Sequence, residues 1–174
     1  MQAETKRMSI VDSILAEIEQ EAEITKRLLE IVPDDKLTWR PHAKAKSLGE
    51  LAMHIAGLQG GVAALGQNDV AERPENLGVD PEAVSREEIL KTFAESQAHA
   101  KAIVGGTPEE ALFTEWTLVS GGNKIVSMPR IAFWRSVLLN HNYHHRGQLA
   151  TYLRQLDVPL PSIYGPSADV NPFA

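Results

Sequence analysis

The sequence predicts an all-α protein, a four-helix bundle with a small hairpin or irregular insertion before its last helix. Three observations carry that expectation. Four stretches place apolar residues at three- and four-residue intervals, the spacing of a helix with one buried stripe. Short breaks separate them except for one long connection between the second and third, as some bundles have. Near Trp116 alone the period changes, with small turn residues between two β-branched runs.

The first helix is read over about Ser9 to Ile31, with Val11, Ile14, Leu15, Ile18, Ala22, Leu28 and Leu29 on its stripe. Pro33 ends it, because proline disfavours helical geometry at Val32 and cannot donate a backbone hydrogen bond. Glu17, Glu19, Glu21 and Glu23 read as a solvated face of this helix. Leu37 to Lys46, containing Trp39-Arg40-Pro41-His42, reads as an ordered loop. Ser47-Leu48-Gly49-Glu50 matches a capping box and starts the second helix, whose apolar positions run from Leu48 to Leu65. Gly66 to Pro81 is the long connection.

A second capping box, Ser85-Arg86-Glu87-Glu88, starts the third helix, and Gly105-Gly106 stops it after Val104. Thr107-Pro108-Glu109-Glu110 caps one short extra turn. Trp116 to Val126, turning at Ser120-Gly121-Gly122-Asn123, is the hairpin. The fourth helix starts near Pro129, a residue suited to a first turn, and extends to about Leu156. Val158-Pro159-Leu160-Pro161 ends it, and an extended tail comes after. One domain, residues 1–174, accounts for all of these elements.

Composition narrows the function classes. A net charge of −6 argues against a broad nucleic-acid footprint, which needs clustered Lys and Arg. No apolar run approaches the roughly 20 residues that cross a bilayer, and no secretory leader is visible at the start. A cytoplasmic location is therefore expected. The chain has no cysteine, which removes disulfides, thiolate metal ligands and cysteine nucleophiles.

The fourth helix carries the polar anomaly. At alternating four- and three-residue steps it presents Trp134, Leu138, His141, His145, Gln148 and Tyr152, an inward seam with a polar middle. His141 and His145, four residues apart, project from one face and can chelate one ion. His141 and His144 could also chelate, and spacing alone does not separate the two pairs. On the second helix, Leu51, His54, Leu58, Gly61 and Leu65 follow the same inward rhythm. A single histidine on an apolar face is more often a core residue bonded to backbone. Three inward imidazoles need many polar partners, and one cation satisfies three nitrogens together. His42 and His99 fit a loop and a helix flank.

Segments along nearly the whole chain resemble the DinB/YfiT-like family of metal-dependent bundle proteins. Val32 to His42 is similar to the family's first interhelical loop, Ser47 to His54 to its first ligand segment, and Asn140 to Leu149 to its paired-ligand segment. Tyr152 to Leu156 and Ile163 to Asp169 resemble its C-terminal stretch. The resemblance implies an up-down-down-up bundle, often dimeric, with His54, His141 and His145 as metal ligands and His144 beside them. Asn142 departs from the pattern, standing where many relatives carry an acidic residue, so no proton-transfer role carries over to it.

Three neutral imidazoles leave coordination positions open, as catalytic sites do. The expected cofactor is one divalent ion, zinc first, with nickel and iron(II) compatible with the same donors. Gln148 and Tyr152 continue the seam and are candidates to orient substrate or a bound water. Arg146 is a candidate for a substrate carboxylate, against a salt bridge on the helix flank. The tail from Tyr164 to Asp169 is expected to fold over the open metal face. Two functions are compatible with these features. One is a metal-dependent enzyme acting on a small molecule, a hydrolase or a transferase, with the family's thiol-dependent S-transferases as precedent and a low-molecular-weight thiol as partner. The other is a non-catalytic metal-binding stress-response protein whose ion stabilises the bundle.

Overall fold

Ser9 begins the first helix, α1 (Ile10–Leu29), by a reciprocal cap. Its hydroxyl accepts from Asp12 N, and the Asp12 carboxylate accepts from Ser9 N. The computed structural model describes residues 8–174. The second helix, α2 (Leu48–Leu65), opens on the expected box, with Ser47 N donating to Glu50 Oε2 at 2.7 Å and Glu50 N to Ser47 Oγ at 3.0 Å. At α3 (Arg86–Gly105) only half of the predicted box forms. Ser85 Oγ accepts from Glu88 N, but the Glu88 carboxylate accepts from Val84 N instead of Ser85 N. Short 3-10 turns occupy Asp34–Lys36 and Glu109–Phe113.

The fourth long helix is not uniform. It comprises α4 (Arg130–Phe133), a π-helical stretch (Trp134–Asn140) and α5 (His141–Gln155). A π turn holds more residues than an α turn, so it rotates the residues after it relative to a regular helix. The deepest residues of α5 are accordingly Asn142, Arg146, Leu149 and Leu153. The seam read from the sequence, His141, His145, Gln148 and Tyr152, lies about one residue to the side of that stripe. The histidines are half-buried on the flank facing α2, and Gln148 is exposed.

Cross-helix contacts give the directions. Gly49 lies against Ala83 and Gly60 against Ser96, so α2 and α3 run parallel. Leu15 meets Gly105, and Glu19 pairs with Lys101 nearer the start of α3, so α1 opposes α3. Glu17 meets Tyr143 and Glu21 meets Arg146, so α1 and α5 run the same way. Two apolar clusters fill the interior. One centres on Ile14, Ile18, Trp116, Trp134 and Leu138, the other on Leu28, Leu51, Ile55, Ile89 and Leu149. Each fully buried Leu or Ile contributes roughly 1.5–3 kcal/mol.

The fold is not purely α-helical. β2 (Glu115–Ser120) and β3 (Asn123–Pro129) form the expected hairpin, with Gly121 and Gly122 at φ of +55° and +80° in a turn that requires positive φ. A third strand, β1 (Val70–Glu72), pairs parallel with β2 and arises inside the long connection after α2. Three residues are too few to show a period of two. The buried Arg130 fastens this sheet to the bundle, donating to Gly66 O at 2.6 Å, Thr114 Oγ1 at 2.9 Å and Asp69 Oδ1 at 2.5 Å. Trp116 stacks on Phe133 at 3.7 Å and donates to Leu65 O at 2.9 Å, which sets the sheet against the end of α2.

Candidate metal centre

α2 supplies His54, and the first turn of α5 supplies His141 and His145. Ring centroids lie 5.4 Å apart for His54 and His141, and 4.4 Å for each of the other two pairs. One nitrogen from each ring can be chosen so that all three fall within 4.8 Å of one another, a group that could hold a metal ion.

Hydrogen bonds orient the rings. His54 Nδ1 lies 2.9 Å from Asp80 Oδ1, and a carboxylate only accepts, so in the neutral ring the proton sits on Nδ1 and Nε2 carries the lone pair. Asp80 is held in turn by Lys46 Nζ at 2.6 Å, and Lys46 also donates to Gly78 O. His145 Nδ1 lies 2.7 Å from Gln148 Oε1, which likewise directs the free lone pair to Nε2. Carboxylate or amide support behind an imidazole is the usual companion of a metal-ligating histidine. Burial, followed by Coulomb repulsion from His54 and His144, lowers the pKa of His141. Burial is also the main cause that pushes His145 down to about 4. Both rings are therefore neutral near pH 7, as donors to a metal must be.

One atom decides whether the residues fit a cation. His54 Nε2 is buried and has no hydrogen-bond partner. His141 Nε2 and His145 Nε2 lie 2.5 Å apart, and one shared proton would satisfy that pair alone. A cation among the three rings satisfies His54 as well, so the donor set fits a divalent ion.

The remaining candidates divide. Gln148 supports His145 through its side-chain oxygen. His144 is exposed, with its ring edge-on to His145 at 4.9 Å, and falls outside the three-nitrogen group. Tyr152 points elsewhere, packing edge-on against Trp39 at 5.6 Å, with its hydroxyl donating to Lys46 O at 3.4 Å. Arg146 is not a flank residue and does not line the cavity beside the histidines. It is buried against α1, donating to Glu21 Oε2 at 2.6 Å and to Thr25 Oγ1 at 3.3 Å. Glu21, read as part of a solvated face, is thus a core residue. Tyr164 of the tail bonds the same pair, donating to Glu21 Oε2 at 2.6 Å and accepting from Arg146. The tail therefore runs along the α1–α5 side, and none of its residues lines the cavity beside the histidines.

That cavity has a volume of about 910 Å3 and is lined by His54, His141 and Asp80 at one end. Asp80 had no signal in the sequence, since a connection without periodicity does not reveal which of its carboxylates turns inward.

Comparison with known proteins places the chain. The model of the DinB family matches residues 1–170. The chain belongs to the DinB family. YrdA of Bacillus subtilis, an uncharacterised protein, is 28% identical over 162 residues, covering 91% of this chain and 90% of YrdA. A DinB-like protein of Bacillus cereus has a similar fold, with a TM-score of 0.70 at 20% identity, covering 90% of this chain and 99% of its own. The DinB-like protein YjoA of Bacillus subtilis superposes with a TM-score of 0.67 at 22% identity, covering 87% and 97%. At these identities the two structures speak to the fold of this DinB chain and not to its chemistry. No helix among the described residues is long and apolar enough to cross a membrane.

Proposed function

We propose that this DinB family protein is a metal-dependent enzyme acting on a small molecule, with one divalent ion held by His54, His141 and His145. The observation that carries the reading is His54 Nε2, buried without a partner and turned toward two further neutral imidazoles at the end of a cavity. When bound, such an ion supplies Lewis acidity, lowering the pKa of a bound water or thiol or polarising a substrate oxygen. The chain's own residues do the rest. Asp80 and Lys46 fix the His54 tautomer, and Gln148 fixes that of His145. Zinc suits the donors, with nickel and iron(II) as alternatives. Thiol-dependent S-transfer is the reaction to test first, and hydrolysis the second.

Metal analysis of protein made without an affinity tag tests the centre. About one ion per chain is expected, with loss of the ion and retained helicity in His141→Ala. Absence of metal even after reconstitution would sink the proposal. Conjugation of a low-molecular-weight thiol to small electrophiles then tests the reaction. A second reading has support in the same geometry, because an ion shared by His54 and the α5 histidines ties α2 to α5. A protein that unfolds on chelation and shows no turnover with any thiol or ester would favour a structural ion.

A further inference from the structure

His54 and His141 account for only one end of the cavity. Its volume of about 910 Å3 is near the top of the range, roughly 300–1,000 Å3, that holds a small organic molecule. Away from the histidines the wall is mostly apolar, with Val62 and Leu65 of α2, Trp116 and Leu118 of β2, Met128 of β3, and Phe133 of α4, while Asn68, Asn76 and Thr92 add neutral polar groups. Among the described residues that line it there is no Lys or Arg. Its two carboxylates are already engaged. Glu72 accepts from Gly121 N at 2.7 Å, and Asp80 holds His54 and Lys46. An anionic body entering here would lose hydration and gain no cationic partner, whereas an apolar one gains from leaving water.

The α2 side of the cavity, where Gly57 is half-buried and Gly61 exposed, gives a second, independent indication. Gly57 and Gly61 stand three and seven residues after His54 on one face of α2, and both line the cavity. A Cβ at either position would meet nothing within 4 Å, so no packing contact calls for glycine there. Gly60 differs, since a Cβ there would lie 2.9 Å from Ser96 O where α3 crosses. Glycine is a poor helix former. Two of them opposite an apolar wall leave bare backbone where side chains would otherwise take up the space.

We propose that the cavity receives the body of a neutral, predominantly apolar small molecule, with its reacting polar group at His54 and His141. Gly57 and Gly61 set how large that body can be. This deepens the metal-enzyme reading and rests on it for the placement of the reacting group, while the apolar body itself does not need the ion.

The test is calorimetric titration of zinc-loaded protein with n-alkyl hydroxamates, from acetohydroxamate to decanohydroxamate, with zinc content measured separately. Each added methylene should tighten binding about fourfold. Gly61→Leu should flatten the series while keeping its zinc and its affinity for acetohydroxamate, and Gly57→Leu provides the same readout if the first variant does not fold. Binding of acetohydroxamate without gain along the series overturns the cavity inference and leaves the metal centre standing. Failure to hold zinc overturns the metal reading instead. A series of n-alkanols on the metal-free protein then decides the cavity, a gain per methylene supporting it and a flat series ending it. A gain unchanged in both leucine variants overturns the role of the glycines. Matching n-alkanoates that bind as tightly as the alkanols refute neutrality of the ligand. Loss of self-association in Gly61→Leu, with the series intact, assigns the cleft to a second copy of this chain and overturns the proposal.

Discussion

Substituting Glu21 by Gln separates a structural role for Arg146 from a substrate-binding one. The change keeps the shape of residue 21 and removes its charge. The Arg146 guanidinium has side-chain exposure of only 2% and its carboxylate partner 6%, so the pair is shielded from water. Thr25 Oγ1 and the backbone oxygen of Glu21, both at 3.3 Å, remain as neutral acceptors, as does Tyr164. None of them supplies the lost charge. Leaving a buried charge without its counter-charge costs about 3–5 kcal/mol. For a chain of this size that lowers Tm by roughly 6–20 °C. Urea and thermal denaturation followed by circular dichroism measure it. Zinc content should not change, because Arg146 faces α1 while the histidines face α2. Replacing both partners, as Glu21→Leu with Arg146→Met, should recover much of the loss, since a matched apolar pair avoids desolvating two ions. A Glu21→Gln protein within about 0.5 kcal/mol of the parent, the usual range for a surface change, would refute the buried-pair account. So would loss of zinc or of turnover at unchanged stability.

The same geometry gives three further expected outcomes. Asp80→Asn weakens the acceptor behind His54 Nδ1, and zinc affinity measured by chelator competition should fall about 10–100-fold with helicity unchanged. Gly57→Ala should raise stability by about 0.5–1 kcal/mol, whereas Gly60→Ala should lower it by about 1–3 kcal/mol because its Cβ meets Ser96; paired melting curves decide, and equal shifts would discredit the distinction. The Arg154 hydrogen bond lowers the Asp169 pKa below 3.8, and the amide of Leu160 adds to it. A depressed carboxylate contributes stability above its unfolded value that is lost as pH falls through the folded one. The Leu160 amide bond to Asp169 should thus persist from pH 8 to 5 and be lost only as pH falls through the lowered pKa, as read by hydrogen exchange of that amide; loss near pH 6 would exclude Asp169 as the controlling group.

How much of this was legible in the sequence depends on whether a feature is local and periodic. The capping box of α2, the glycine turn of the hairpin and the apolar stripes are local, and they appear where their patterns place them. The histidines of α2 and α5 were legible as candidates because mid-helix polarity interrupts an apolar rhythm, and the family resemblance, not the spacing, selected His145 over His144. The rotation of α5 was not. A π-helical stretch has no composition of its own, and Trp134 to Asn140 reads as ordinary helix until its backbone is seen. Glu21 and Arg146 were hidden for another reason. A charged residue on a helix is usually solvated, and only the partner on a distant helix reverses that. Asp80 and β1 share one stretch without periodicity, where a carboxylate turned inward looks like any other.

Arg146 and His54 show why a polar residue in a core is not by itself a site. Both interrupt apolar faces, and on sequence alone each could be assigned to chemistry. Both terminal nitrogens of Arg146 are bonded, to Glu21, Thr25 and Tyr164, so the fold pairs its charge internally and away from the cavity. His54 is answered on one nitrogen only. Asp80 accepts from Nδ1, which in the neutral ring leaves the lone pair on Nε2, the very atom left buried and unpaired. Other buried groups are also unpaired, among them Trp134 Nε1 and Asn142 Oδ1. Trp134 Nε1 can only donate and Asn142 Oδ1 only accept, and neither belongs to a cluster of nitrogen ligands. Among the described residues, only at His54 does the missing partner coincide with two more imidazoles. An unpaired lone pair beside two further neutral donors costs energy in the protein alone and is relieved by a cation. The incomplete hydrogen bonding, more than the presence of histidine, is what makes this group of nitrogens one that could hold a metal ion.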